Sequence, residues 1–196
     1  MSPQIAECMG LWRRTLLVDA DGSRDVTTNV LWLQGYSLFV DLRGPSQGFA
    51  GRLGQHGDVF EWTRLIDLQL PGLPDAGRMS WQDDTLIEVG VHADYIEHWR
   101  RDSSPGRPCF GLLLSGPAAA CGVLVRVGER FGWARREHDG GDDILLGIID
   151  GSGWWITDSA HQARVGTVLR PQVIPGHLRV DDITWTIEEQ EGRVEF

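Results

Sequence analysis

Arg64 and Glu97 are the two side chains on which chemistry is most readily built. Run as a strand, residues 91–101 place Val91, Ala93, Tyr95, Glu97 and Trp99 on one face, because successive strand side chains alternate. Residues 59–70 do the same for Phe60, Trp62, Arg64 and Ile66. A glutamate among aromatic rings sits in low dielectric, where an unpaired carboxylate is costly and its pKa is expected to rise. An arginine facing it would satisfy both groups. Such a pair orients a ligand, or serves catalysis with Glu97 as general acid/base and Arg64 stabilising developing negative charge. The plainer reading of the same residues is a structural ion pair, or charges that face solvent. Phe39, Asp41 and Arg43 offer a second mixed face. The candidate ligand-lining residues are therefore Arg43, Trp62, Arg64, Tyr95, Glu97 and Trp99, and none is read as a metal ligand.

Other chemistries find little support. His92, Asp94 and His98 share strand parity, but six residues of strand span roughly 20 Å, too far for one ion. The chain has no lysine, and all 18 of its basic residues are arginine. A Schiff base, a P-loop lysine and a lysine general base are thereby excluded. Ser115-Gly116-Pro117 and Ser152-Gly153 are not read as nucleophile elbows, on the expectation that the chain has no Gly-x-Ser-x-Gly. Without GxGxxG or HExxH, neither a nucleotide cofactor nor zincin chemistry is implied, and no cofactor is expected. Cys8, Cys109 and Cys121 are odd in number and lack CxxC spacing, so each reads as a small hydrophobe. Asp139-Gly140-Gly141-Asp142-Asp143 reads as a solvated turn rather than a calcium loop.

The elements that must position the candidates read as strands. Ile183-Thr184-Trp185-Thr186-Ile187 alternates apolar and polar, as a half-buried strand requires. Nine tryptophans are present, most of them in such stretches. Asp19–Gly22 and Asp83-Asp84 supply turns, and Gly44-Pro45 stops the strand before it. Val26–Gln34 reads as one strand, Gln47–Leu53 as a loop or a short bulged strand, and Pro117–Ala120 as a helical turn. Asp94–Arg101 is read as a strand rather than a helix. The connection Asp102–Pro108 is short enough to be a loop within one barrel. Trp154-Trp155 puts one indole on each face of its strand. One serves the core, and the other is left to cap a cavity, cover an edge or join a subunit interface such as a homodimer's.

Composition narrows the partners. A net charge of −10 disfavours nucleic acid and anionic membranes. The arginine pairs Arg13-Arg14, Arg100-Arg101 and Arg135-Arg136 read as solvated strand edges. Apolar residues make up 41% of the chain, with no run approaching the ~20 residues of a membrane helix. The first residues carry neither a basic segment nor an apolar core, so a cytoplasmic location is expected.

Many short strands about ten residues apart imply an all-β fold, a single antiparallel up-and-down barrel over residues 1–196 with little helix. Gly10-Leu11-Trp12 resembles the Gly-x-Trp of lipocalins, within the calycin group of ligand-binding barrels. Trp32-Leu33-Gln34, residues 39–43, 48–52 and 62–67, and Asp94–Trp99 resemble an uncharacterised bacterial family of calycin-like barrels, over roughly residues 10–136. In lipocalins the tryptophan packs beneath a basic residue from a late strand; the resemblance offers Arg179 or Arg193 for that place. It implies a cup for a small apolar or aromatic ligand. The alternatives are a cofactor-independent isomerase, cyclase or hydrolase acting through Glu97, and a non-catalytic scaffold whose core is packed solid.

Overall fold

Alternation along the strands builds two antiparallel sheets rather than one. The computed structural model describes residues 2–69, 72–103, 106–136 and 141–196. The expected turn around Asp139-Gly140, the Pro71 stop and the Ser104-Pro105 part of the connection fall outside the described residues. The first sheet runs through β1 (Gly10–Asp19), β2 (Arg24–Asp25), β3 (Leu31–Gln34), β4 (Leu38–Gly44), β5 (Gln47–His56), β6 (Val59–Asp67), β7 (Ala76–Gln82), β8 (Thr85–Gly90) and β9 (Tyr95–Ser103). Its order is β2-β1-β3-β4-β5-β6-β7-β8-β9, and pairing of β1 with β9 closes it into a barrel. The short β2 stays outside as a flap on β1.

The second sheet comprises β10 (Cys109–Ser115), β11 (Cys121–Val127), β12 (Arg130–Arg136), β13 (Asp143–Asp150), β14 (Gly153–Ser159), β15 (Val168–Leu169), β16 (Gln172–Ile174), β17 (His177–Val180) and β18 (Ile183–Gly192). It is again a meander whose first strand pairs with its last, β10 with β18. It stays open between β15 and β16, which follow one another in the chain with Arg170-Pro171 between them. Proline lacks the N–H a ladder needs, which suits a break in pairing. The single barrel expected from the strand count is thus replaced by a closed barrel and a half-barrel. Among the described residues helix is confined to short 3-10 turns at Ile5–Cys8, Pro117–Ala119 and Gln162–Arg164. Among the described residues no helix is long and apolar enough to cross a membrane.

Three apolar clusters follow from the two-faced strands. Trp12, Trp32, Phe39, Phe60, Trp62, Met79, Leu86 and Trp99 fill the barrel interior. The barrel's outer face gives Leu31, Leu33, Leu38, Val40, Leu42 and Ile66 to a layer shared with Val123, Val125, Ala134, Ile144 and Leu146 of the second sheet. The opposite face of that sheet gathers Phe110, Leu124, Phe131, Trp133, Trp154 and Trp185 inside the half-barrel. At the rim, Glu191 accepts hydrogen bonds from the backbone N–H groups of Ser37 and Leu38, both at 3.1 Å, joining β18 to the β3–β4 turn.

Several sequence expectations change in detail. The strand foreseen over Val26–Gln34 begins only at Leu31, whereas Gln47–Leu53, expected as a loop or a short bulged strand, belongs to a regular ten-residue strand whose neighbours β4 and β6 carry the bulges. Opposite the Ala50/Gly51 step, β6 carries Leu65 as an extra residue. This bulge turns Ile66 outward into the shared layer, so Ile66 leaves the face of Phe60, Trp62 and Arg64. Trp154 is the buried indole of its pair, while Trp155 is partly exposed and donates from Nε1 to Ser152 at 2.9 Å.

Trp99 is 2% exposed and meets Trp32 edge-on at 5.7 Å between ring centroids. Trp99→Ala is expected to cost about 3–5 kcal/mol in denaturant unfolding, as loss of a large core ring does; wild-type stability would place Trp99 outside a packed core. A Cβ on Gly132 would lie 2.8 Å from Val40 Cβ across the shared layer. Gly132→Val should therefore destabilise by about 1–3 kcal/mol through overpacking, read from the unfolding midpoint.

Candidate functional site: the polar mouth of the closed barrel

Inside the barrel, four parallel-running strands pass from large apolar side chains to charges in the same direction. β1 leads from Trp12 to Arg14, β4 from Phe39 to Asp41 and Arg43, β6 from Trp62 to Arg64, and β8 from Leu86 to Glu88. The antiparallel β9 delivers the same order in reverse, from Trp99 through Glu97 to Tyr95. One end of the barrel is therefore aromatic and the other charged. The charged end holds a recess of about 220 Å³ lined by Arg14, Leu17, Asp19, Arg43, Arg64, Asp75, Tyr95 and Glu97.

Ion pairs organise this mouth. The Arg14 side chain, 6% exposed, donates from Nη1 to Glu97 Oε1 at 2.7 Å and from Nη2 to Asp25 Oδ2 at 2.9 Å. Arg43 donates from Nε to Asp41 Oδ1 at 2.9 Å, and its Nη1 lies 3.8 Å from Glu97 Oε1. Arg64 donates to Asp67 Oδ2 at 2.9 Å and to Asp75 Oδ2 at 2.7 Å. The Arg64 and Arg43 guanidinium groups also lie over the Phe49 ring, 3.7 and 4.9 Å from its centroid, a cation–π arrangement.

Glu88 is the buried carboxyl whose hydrogen bonds come from neutral donors. Tyr95 Oη donates to Oε1 at 2.7 Å and Trp99 Nε1 to Oε2 at 3.1 Å. Its space exists because Gly77 lacks a side chain; a Cβ there would stand 2.5 Å from Glu88 Cγ. Burial holds the Glu88 carboxyl well above the usual carboxylate range, and the charges of Glu97 and Asp75 push the same way. Burial likewise raises the Tyr95 phenol, with Glu88 beside it adding to the effect. Burial pushes Asp41 up to about 6, even though Arg43 pulls it back.

Four of the six sequence candidates, Arg43, Arg64, Tyr95 and Glu97, line this one recess. Trp62 and Trp99 lie in the aromatic interior beneath it, 7% and 2% exposed. The expected Arg64–Glu97 pair is not formed. In the sheet order β6 is separated from β9 by β7 and β8, whereas β1 is β9's direct neighbour, so Glu97 takes Arg14. Tyr95 opens β9, and Val91 and Ala93 precede it outside any strand, which shortens the predicted face.

Sequence reasoning missed Arg14, Asp75 and Glu88. Arg13-Arg14 was read as a solvated edge, yet only Arg13 fits, with a side chain 42% exposed. The parity of Trp12 and Arg14 was the available signal. For Glu88 the alternation Leu86, Glu88, Gly90 pointed inward, but nothing in one strand tells which face is the interior.

Other sequence readings resolve plainly. Arg101, not Arg179 or Arg193, stands over Trp12, 4.3 Å from its ring, while Arg179 pairs with Asp182 and Arg193 with Glu195. Arg101 with Trp12, Trp81, Asp83 and Asp84 lines a recess of about 410 Å³ at the aromatic end. A Gly-x-Ser-x-Gly spacing does occur, at Gly44-Pro45-Ser46-Gln47-Gly48, contrary to the sequence reading. It forms the β4–β5 hairpin, whereas an elbow needs a strand followed by a helix. Among the described residues no group of three or more His, Cys, Asp or Glu is placed to hold a metal ion. Cys8 is buried, and burial pushes its thiol up to about 12.

The fold and mouth together define an all-β protein with a closed antiparallel barrel joined to a half-barrel. A crystal structure of the uncharacterised protein YLR301w from Saccharomyces cerevisiae has the same fold, with a TM-score of 0.68 over 93% of this chain and 98% of that one. The two sequences are 13% identical, so the likeness is one of fold alone. No protein-family model matches the chain, and no curated protein matches its sequence.

The Asp41 carboxyl titrates near pH 6 when folded and near 3.9 when unfolded, so the folded protein binds more protons between those values. Stability linked to Asp41 is thus fully present below about pH 4 and is lost as pH rises through about 6. Urea unfolding of Asp41→Asn should show a flatter stability profile than wild type between those pH values. An unchanged slope would mean that Asp41 does not carry the linkage.

Proposed function

We propose that this chain is a small-molecule-binding barrel whose ligand occupies the charged mouth. The observation that carries the reading is the recess of about 220 Å³ in which Arg14, Arg43, Arg64, Tyr95 and Glu97 meet. Binding sites of small molecules combine a concave surface with a few placed polar groups, and these side chains are held by ion pairs, or for Tyr95 by its hydrogen bond to Glu88, before any ligand arrives. An apolar ligand in the barrel interior is the less supported version, because rings occupy that volume. Trp12, Trp32 and Trp99 are each at most 2% exposed, and Trp32 packs against Trp12, Trp62 and Trp99 at 5.7–5.8 Å. The calycin-like reading is supported by Trp12 lying under Arg101 of the barrel's last strand.

An enzymatic version favours Tyr95 with Glu88 over Glu97 as the proton-handling pair. The Tyr95 phenol lines the recess and donates to a carboxyl that burial keeps protonated to higher pH, an arrangement suited to passing a proton.

A thermal-shift screen of small polar and apolar compounds separates these readings. Polar compounds should raise the Tm of wild type, with the shift reduced in Tyr95→Phe and Arg43→Met and retained in Trp155→Ala. Stabilisation by apolar compounds alone would return the ligand to the interior. The absence of any shift would favour the scaffold.

A further inference from the structure

On its outside the closed barrel carries a stretch of wall that is apolar and open to water. Tyr95, Glu97 and Trp99 of β9 point inward, so Ile96, His98 and Arg100 point outward. Cross-strand register extends this face onto both neighbouring strands. One row runs Val18, Ile96, Val89, and the next runs Leu16, His98, Ile87. The first row ends in Arg24 on one side and Arg78 on the other. Ile96 and Val89 are 39% and 42% exposed, and Leu16, Val18 and Ile87 are half-buried. The second sheet packs against β3, β4, β5 and β6, on another part of the wall. Contiguous apolar side chains with charges at their rim mark a contact surface.

The charges on this face indicate what covers it. Asp94 and Arg100 stand three residues to either side of Glu97, both exposed, and neither has an ion-pair partner among the described residues. A second copy laid face to face, with a two-fold axis running across the strands at the level of Glu97, brings each Asp94 over the other copy's Arg100. The same operation sets the Ile96 row against the His98 row. Val18 then meets Leu16, Val89 meets Ile87, and Arg78 falls opposite Ser80 rather than another arginine. Other placements bring like charges together, which costs affinity. An axis on the Ile96 row stacks Arg24 on Arg24 and Arg78 on Arg78. An axis along β9 stacks Asp94 on Asp94 and Arg100 on Arg100.

We infer that the chain forms a two-fold dimer through the outer face of β1, β9 and β8, with its apolar rows facing each other and Asp94 of each copy paired with Arg100 of the other. The two β9 strands run antiparallel across the interface, so the charged mouths open at opposite ends and neither is covered. The contact extends about 20 Å along β9 and about 15 Å across three strands. That is the small end of specific interfaces, and a dimer dissociating in the micromolar range is expected.

Sedimentation of the full chain over a range of concentrations, at low and high salt, tests the assignment. Wild type should pass from monomer to dimer as concentration rises, with the dimer weakened by salt. Ile96→Glu should leave it monomeric, because a carboxylate then enters the apolar contact. Asp94→Arg alone and Arg100→Asp alone should each weaken dimerisation by about tenfold or more. Mixing those two single variants should restore it, because each arginine then faces an aspartate across the axis. Both residues are exposed, and circular dichroism confirms that each variant folds. Wild type that stays monomeric at every concentration would overturn the dimer. A dimer indifferent to Ile96→Glu and to both charge reversals would overturn this face as its interface. Reversals that weaken the dimer, with no recovery on mixing, would overturn the pairing of Asp94 with Arg100 and the axis placed on it.

Discussion

Strand β4 has no side that faces water, and the rest of the molecule is arranged around that constraint. Leu38, Val40 and Leu42 point to the second sheet, while Phe39, Asp41 and Arg43 point into the barrel. A slip of one residue would exchange the two sets, placing a carboxylate and a guanidinium in the apolar layer between the sheets. The cost of stranding two charges there is several kcal/mol each, far above that of misplacing a methyl group. Register in β4 thus determines both where the second sheet docks and where the charges of the mouth lie. The bulge in β6 serves the same division, sending Ile66 to the shared layer while Arg64 and Asp67 stay together inside.

Given that division, the charged end of the barrel cannot be understood as a core that happens to contain ion pairs. Buried pairs commonly do no more than offset their own desolvation. Here they also hold aromatic rings and guanidinium groups in fixed poses. Phe49 sits beneath Arg43 and Arg64, and Glu97 is shared by Arg14 and Arg43. Such over-determination keeps the walls of a recess in place without a ligand. The aromatic interior below adds rigidity, since rings packed against rings leave few alternative rotamers.

How much of this was legible in the chain depends on whether a feature is local. The period of two in Ile183–Ile187 and in Phe60-Trp62-Arg64 is local, and those strands exist as read. So is the sharing of a face by Tyr95, Glu97 and Trp99. Partner choice is not local. Glu97 meets Arg14, 83 residues away in sequence, because β1 and β9 close the barrel, a pairing that no window of sequence reports. Glu88 needed the absence of a side chain at Gly77 on another strand, which looks like any turn glycine when read alone. The division into two sheets was equally hidden, because two meanders of similar strand length leave the same periodic trace as one.

That closing pair also dictates an order of events. β1 cannot complete its ladder until β9 has left the ribosome, and β10 waits in the same way for β18 near the end of the chain. During vectorial synthesis the interior tryptophans of the first barrel would remain uncovered until its last strand emerges. The half-barrel must likewise wait for its own last strand. Contacts of such long sequence separation slow folding, because loop entropy is spent before the contacts reward it. The architecture that shields so many rings in the finished protein therefore leaves the nascent chain dependent on rapid closure or on chaperones.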